Sequence, residues 1–379
     1  MKHHQYNKDY KFVCDPIEFN KNTPKDILQY CLGATLYMPA IKDFAKVIIN
    51  KEMLGLTSMV MCFEDAIKEE DVPVAEENAI STLDKILNAL EKGLITENDL
   101  PLIFFRVRNP EQFRSFAMRI KKEHLSVFCG FVFPKFSTIN GIPFYNEVKR
   151  LVDKYGTLIY GMPILEGREL AFKESRYNEL MKVKTLIDSN KEYVLNVRVG
   201  ATDFSSCFGV RRGIDYTIYD MISVREILMD ILNFFSRDNE YVVSGPVWEY
   251  FLANKSMKFK KDVPAHDIQT SLLKHEQIVN EAVDGLLREV ILDKANGFIG
   301  KTIIHPTHLK YVNSLQAVIK EEYDDAIQIL NVAGGVVKSS RSNKMNEIKP
   351  HRSWAQKVIM RAKAYGVIEN ESCYAELFK

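Results

Sequence analysis

Leu158-Ile159-Tyr160-Gly161-Met162-Pro163-Ile164-Leu165, the stretch Lys173–Asp188, and Tyr193-Val194-Leu195-Asn196-Val197-Arg198-Val199 read together as a strand, a helix and a second strand. Both apolar runs are continuous rather than alternating, as expected of strands covered on both faces in a parallel sheet. Each stops on a carboxylate beside glycine, in Glu166-Gly167 and in Gly200-Ala201-Thr202-Asp203. A carboxylate there is costly unless something positive sits against it. Two such strand ends, one helix apart, suit oxygen ligands for a hard divalent cation. Read singly, each is equally an N-cap or a loop acid.

The same alternation extends in both directions. Strand candidates are Ala34–Pro39, Met59–Phe63, Leu102–Val107 and Gly130–Pro134 upstream, and Tyr241–Ser244 and Thr302–His305 downstream. Helical spacing is expected over Ile41–Asn50, Ala75–Lys92, Gln112–Glu123, Tyr145–Tyr155, Val224–Asn233 and Ile278–Ala295. Eight strands alternating with helices predict an α/β fold, a (β/α)8 TIM barrel. A doubly wound open sheet is the rival, but no G-x-G-x-x-G follows the first strand and no phosphate-binding G-x-x-x-x-G-K-[ST] is present. Residues 1–30 read as an N-terminal extension and 31–310 as the barrel, with an insertion at about 251–277 suited to a lid or an extra helix. Residues 311–379 read as a C-terminal helical extension, with helices over Leu315–Leu330 and Trp354–Tyr365, covering the mouth or reaching a neighbouring subunit.

Composition narrows the function. The 379 residues are 46% hydrophobic and 27% charged with a net charge of +1, so no basic field argues for nucleic acid. The six cysteines are scattered without a C-x-x-C pair, which fits neither a zinc site nor a disulfide framework. The first residues lack a signal-like apolar stretch and no segment is apolar enough to span a bilayer, so a cytoplasmic protein without membrane partners is expected.

In a barrel, side chains at the C-terminal strand ends converge on one face. Here those ends supply Pro39, Glu64 and Asp65, Arg106 and Arg108, Lys135, Glu166, Asp203, Gly245 and Glu249, and His305. The strings that carry these residues, in order, are Leu36-Tyr37-Met38-Pro39, Glu64-Asp65-Ala66-Ile67, Arg106-Val107-Arg108-Asn109-Pro110, Pro134-Lys135, Leu165-Glu166, Gly200-Ala201-x-Asp203, and Gly297-Phe298-Ile299-Gly300-Lys301 leading to Ile304-His305-Pro306. This succession resembles the citrate lyase β-subunit and hydroxy-acid aldolase superfamily, which includes malyl-CoA lyases. It looks closest to a bacterial branch of TIM-barrel C–C bond lyases associated with tellurium-resistance and stress gene neighbourhoods.

The resemblance implies the same barrel, Mg²⁺ as cofactor, Glu166 and Asp203 as metal ligands, and a small carboxylate substrate. Arg106 suits a carboxylate clamp, since a guanidinium offers paired donors in a planar fork; its alternative is an ion pair with Glu64 or Asp65. Lys135 fits an electrostatic role better than a Schiff base, because nearby anions keep an ammonium charged. Pro134 and the run Gly200, Ala201, Thr202 are expected to face substrate. In the tail, Asn343-Lys344-Met345-Asn346-Glu347 resembles a family segment whose acid can serve an adjacent subunit, which falls on Glu347 and implies a homo-oligomer, trimeric or hexameric. Asp65, Glu347 and a metal-bound water are the candidate bases. His305 reads as an orienting residue, His308 as a surface one, and Arg211-Arg212 as either exposed or an anion site.

Departures bear on substrate. The family's Arg-Ser before the Leu-x-x-Pro of the first strand is Gly33-Ala34 here, and Asp-Leu-Glu-Asp becomes Cys62-Phe63-Glu64-Asp65. A CoA thioester therefore does not transfer automatically. The expected activity is Mg²⁺-dependent aldol- or Claisen-type cleavage or condensation of a hydroxy or oxo acid or its thioester. The alternatives are a thioester hydrolase on the same site and a non-catalytic ligand-binding barrel subunit.

Overall fold

The computed structural model describes residues 1–251, 271, 272, 274, 278–339 and 343–378. Eight parallel strands follow in chain order: β1 (Ala34–Pro39), β2 (Ser58–Cys62), β3 (Leu102–Arg106), β4 (Gly130–Phe133), β5 (Tyr160–Leu165), β6 (Val197–Val199), β7 (Val243–Ser244) and β8 (Lys301–Ile303). From β2 to β7 each pairs with its predecessor, and β8 pairs with β1. Gly245 bridges Lys301 between β7 and β8, and Ile299 N–H donates to Val243 O at 2.9 Å, which closes the ring. Closure removes the open-sheet rival. Gly300 makes it possible: its φ is +69°, and a Cβ there would lie 2.5 Å from Gly33 O of the facing segment.

The connecting helices are α1 (Phe44–Ile49), α2 (Val72–Glu91), α3 (Pro110–Arg119), α4 (Gly141–Tyr155), α5 (Lys173–Asp188), α6 (Ile222–Phe235) and α7 (Glu281–Asn296). Local chemistry starts several of them. Asp43, Asn109 and Asn280 each accept a hydrogen bond from a backbone N–H in the first turn of the helix that follows. Phenylalanines weld strands to helices on one side. Phe105 meets Phe116 edge-on at 5.1 Å, and Phe133 stacks on Phe144 at 4.6 Å. The insertion at 251–277 lies almost wholly outside the described residues.

The tail differs from expectation. In place of one helix over Leu315–Leu330 there are α8 (Leu309–Gln316) and α9 (Lys320–Asn331), separated by the short strand Val318–Ile319. That strand pairs with Val367–Ile368, and Val367 also bridges Cys14. Partners distant in sequence claim the backbone that helical periodicity alone would have kept in a helix. The last long helix, α10 (Ile348–Tyr365), packs against α9. Tyr365 OH donates to Tyr30 O at 2.7 Å and Asn239 to Ser353 O at 2.7 Å, so the described tail sits where strands begin, at the end opposite the mouth.

Candidate active site

Strand register brings the two acids together. Leu165 faces Val199 across β5 and β6, so Glu166 comes opposite Gly200, whose N–H donates to Leu165 O at 3.2 Å. A Cβ on Gly200 would lie 2.0 Å from Glu166 Oε2, so only glycine leaves room for that carboxylate. The chain then turns into the short helix Ala201–Cys207, whose first turn carries Asp203 back against Glu166. Burial, reinforced by the charge of Asp203, pushes Glu166 up to about 8, although Arg106 and the Lys135 N–H oppose the shift. Burial also raises Asp203 above the usual carboxylate range.

A cationic wall faces this pair. Arg106 closes β3 and lies 3.1 Å from Glu64 Oε2 and 3.9 Å from Asp65 Oδ2. Its Nε donates to Cys62 Sγ at 3.1 Å, and its guanidinium sits 5.6 Å from the centre of the Tyr37 ring. Lys135 holds a left-handed φ of 47°, which aims its N–H at Glu166 Oε1, 2.8 Å away, while its ammonium reaches Glu64 and, at 3.2 Å, Asp65. Burial raises Glu64. For Asp65, burial is outweighed by the hydrogen bond with Glu64 and the charges of Lys135 and Arg106, and its carboxyl is held low. Lys135 is buried in part, but the same acids hold its ammonium charged, which is the opposite of what an amine nucleophile needs.

These groups border a cavity of about 360 Å³ at the mouth, lined by Asp65, Arg106, Glu166, Gly200, Thr202 and Asp203 among the sequence-predicted residues. Glu64 and Lys135 stand behind Arg106 and Asp65 as their partners. Pro134 and Ala201 are buried and do not line the cavity. Glu347 is exposed on the hairpin of Val336–Lys338 with Met345–Glu347, which packs on α9 and α10, so within one chain it belongs to the opposite end.

Among the described residues, no cluster of three or more His, Cys, Asp or Glu side chains is arranged to hold a metal. Two adjoining carboxylates do fit Mg²⁺, which takes one or two from a protein and leaves its other positions to water and substrate oxygens. The raised Glu166 supports that fit: with no cation beside it, the buried pair favours a proton in the cation's place.

Several expectations are corrected. His308 is buried, not superficial, and its Nε2 lies 3.1 Å from Tyr250 O. Arg212 is buried between Glu289 and Glu249 rather than free for an anion, while Arg211 is exposed. Arg108 turns away from the cavity and pins the loop after β2 through Phe63 O and Ile67 O, each at 3.2 Å. His305, by contrast, is placed as expected: it orients the following turn through Thr307, and it stacks on Phe251 at 4.1 Å. Tyr37, Arg198 and Thr302 line the cavity and escaped the sequence reading. For Arg198 a signal existed: it is a charge set between valines inside an apolar run.

Among solved structures, the chain is similar to CitE from Mycobacterium tuberculosis in complex with magnesium, acetoacetate and coenzyme A, with a TM-score of 0.51 and 16% identity over 88% of this chain and 99% of that one. It is also similar to the pyruvate/acetyl-CoA ternary complex of Haloferax volcanii malate synthase (TM-score 0.49, 13% identity, 86% and 89% covered) and to RipC from Yersinia pestis (0.46, 14%, 76% and 95%). At these identities the likeness speaks to the fold. No curated protein matches the sequence. The model of a family described as C–C bond lyase of the TIM-barrel fold matches residues 26–367, and the chain belongs to that family.

Proposed function

We propose that this C–C bond lyase cleaves or forms the bond by an aldol- or Claisen-type reaction on a small carboxylate-bearing hydroxy or oxo acid or its thioester, with Mg²⁺ held by Glu166 and Asp203. The observation that carries the reading is the meeting of these two acids, from consecutive strand ends, in one cavity with a charged Arg106. The cation, when bound, supplies Lewis-acid stabilisation of negative charge developing on a substrate oxygen. Arg106 binds the substrate carboxylate with the donors that Glu64 and Asp65 leave free, and those two acids fix its orientation. Lys135 positions rather than attacks: its N–H holds Glu166 and its ammonium holds Glu64 and Asp65. Asp65 lines the cavity and stays ionised, which suits it to accept the proton of a substrate hydroxyl.

Within the same proposal, a homo-oligomer in the cytoplasm would let the exposed Glu347 serve another copy of the chain rather than its own mouth. Turnover of a panel of β-hydroxy and 2-oxo acids and their thioesters, with Mg²⁺ and with chelator, tests the reading. Cleavage that needs Mg²⁺ and is lost in Glu166→Ala supports it. Thioester hydrolysis without carbon–carbon cleavage, or binding without turnover, would replace it by the hydrolase or the binding subunit.

A further inference from the structure

The cavity contains a second guanidinium that the proposed reaction does not use. Arg198 lies between Val197 and Val199 in β6 and is 1% exposed. Its Nη2 donates to Thr302 Oγ1 at 2.7 Å and its Nη1 to Thr35 Oγ1 at 3.4 Å, and the neutral Tyr37 side chain lies against it. Its guanidinium sits 5.5 Å from the centre of the Tyr37 ring, the ring that Arg106 also approaches. Among the described residues it forms no ion pair, yet it lines the same cavity as Arg106, Glu166 and Asp203.

That isolation is unlike the treatment of other buried arginines in this molecule. Arg176 pairs with Asp230 at 2.8 Å, Arg361 with Glu322 at 3.3 Å, and Arg212 with both Glu249 and Glu289. A guanidinium cannot shed its proton to escape burial, and a buried ion without a counter-charge is strongly unfavourable. Two threonine hydroxyls and a tyrosine face recover only part of that cost. A cavity-lining cation left without a carboxylate by its own chain has room for one from a ligand.

We infer that Arg198, flanked by Thr35 and Thr302, is a second anion-binding residue in the cavity, and that the substrate is a short acid with two free carboxylates, one on Arg198 and the other, at the reacting end, on Arg106 beside Glu166 and Asp203. This rests on the lyase reading for the reacting end only. One planar fork with two hydroxyls matches the single charge and flat shape of a carboxylate better than a phosphate dianion.

The test compares binding of succinate and butyrate, equal in length and unreactive, to the full chain by calorimetry in Mg²⁺ and again in chelator. Succinate should bind at least tenfold more tightly in Mg²⁺. Arg198→Gln should bring the two together, Arg198→Lys should keep part of the preference, and butyrate affinity should change little. Thr302→Val, which frees the guanidinium but keeps its charge, should reduce the preference several-fold and covers the case in which Arg198→Gln does not fold. Equal binding by the wild type, no succinate binding, a preference that survives Arg198→Gln or Thr302→Val, or inorganic phosphate outcompeting succinate would overturn the inference. Loss of Mg²⁺ dependence alone would count against the metal reading and leave this one standing.

Discussion

Two clusters of acids and bases, made from the same residue types, stand in different parts of this barrel. Beside β8, Lys301 reaches Glu289 at 2.8 Å and Asp293 at 2.7 Å, Arg212 reaches Glu289 and Glu249, and Tyr219 OH donates to Asp293 at 2.6 Å. All four carboxylate oxygens of Glu289 and Asp293 accept a hydrogen bond. At the mouth, by contrast, Glu166 faces another carboxylate, and Asp203 forms no ion pair among the described residues. Charge content does not separate a structural cluster from a binding one. Completeness of pairing does, because a closed network has nothing left to offer a ligand while an open one is relieved by it.

The sharpest way to break this contrast is to remove one acid from each cluster. Glu166→Ala should lower turnover by about 10³-fold or more, the scale set by several kcal/mol of metal-assisted stabilisation. Its melting temperature should stay level or rise, since a crowded carboxylate has gone. Steady-state kinetics with a melting curve checks both, and unchanged kinetics with a lower melting temperature would make Glu166 structural. Glu289→Ala should do the reverse and cost about 3–5 kcal/mol in denaturant unfolding, because Lys301 and Arg212 lose a buried partner.

A pH series sharpens the comparison. In metal-free protein Glu166 titrates near 8 when folded against 4.5 ordinarily, so folding favours its protonated form. Its contribution is present below pH 4.5 and is lost as pH rises toward about 8. Unfolding free energies over that window should fall with pH, and Glu166→Gln should flatten the slope. The smallest effect belongs to the bridge between the clusters: Thr202 Oγ1 donates to Glu249 at 3.3 Å, and Thr202→Val should cost about 0.5–1.5 kcal/mol. A loss as large as that of Glu289→Ala would mean that the mouth and the network are one unit.

Much of this was legible in residue order. The strand expected at Ala34–Pro39 and the helix at Lys173–Asp188 have the observed bounds, and the other barrel strands fall within a few residues of theirs. Continuous apolar runs leave a two-sided parallel strand few alternatives. Glu166, Asp203, Arg106 and Asp65 share one cavity, as strand-end position leads one to expect, because barrel topology brings strand ends to one face. Arg198 and Tyr37 were passed over because both lie within strands, and sequence does not tell which inward side chain meets the cavity and which meets packing. His308 and Arg212 were misjudged for a related reason: their partners, Tyr250 and Glu289, lie 58 and 77 residues away.

Sequence alone determined the barrel and the ring of polar strand ends, since periodicity and strand-end position are local properties of the chain. Tertiary structure alone decided the split of the first tail helix, the lodging of the tail where strands begin, and which arginines are paired. Those outcomes depend on contacts between residues far apart in the chain, through which a side chain either finds its counter-charge or is left facing a cavity without one.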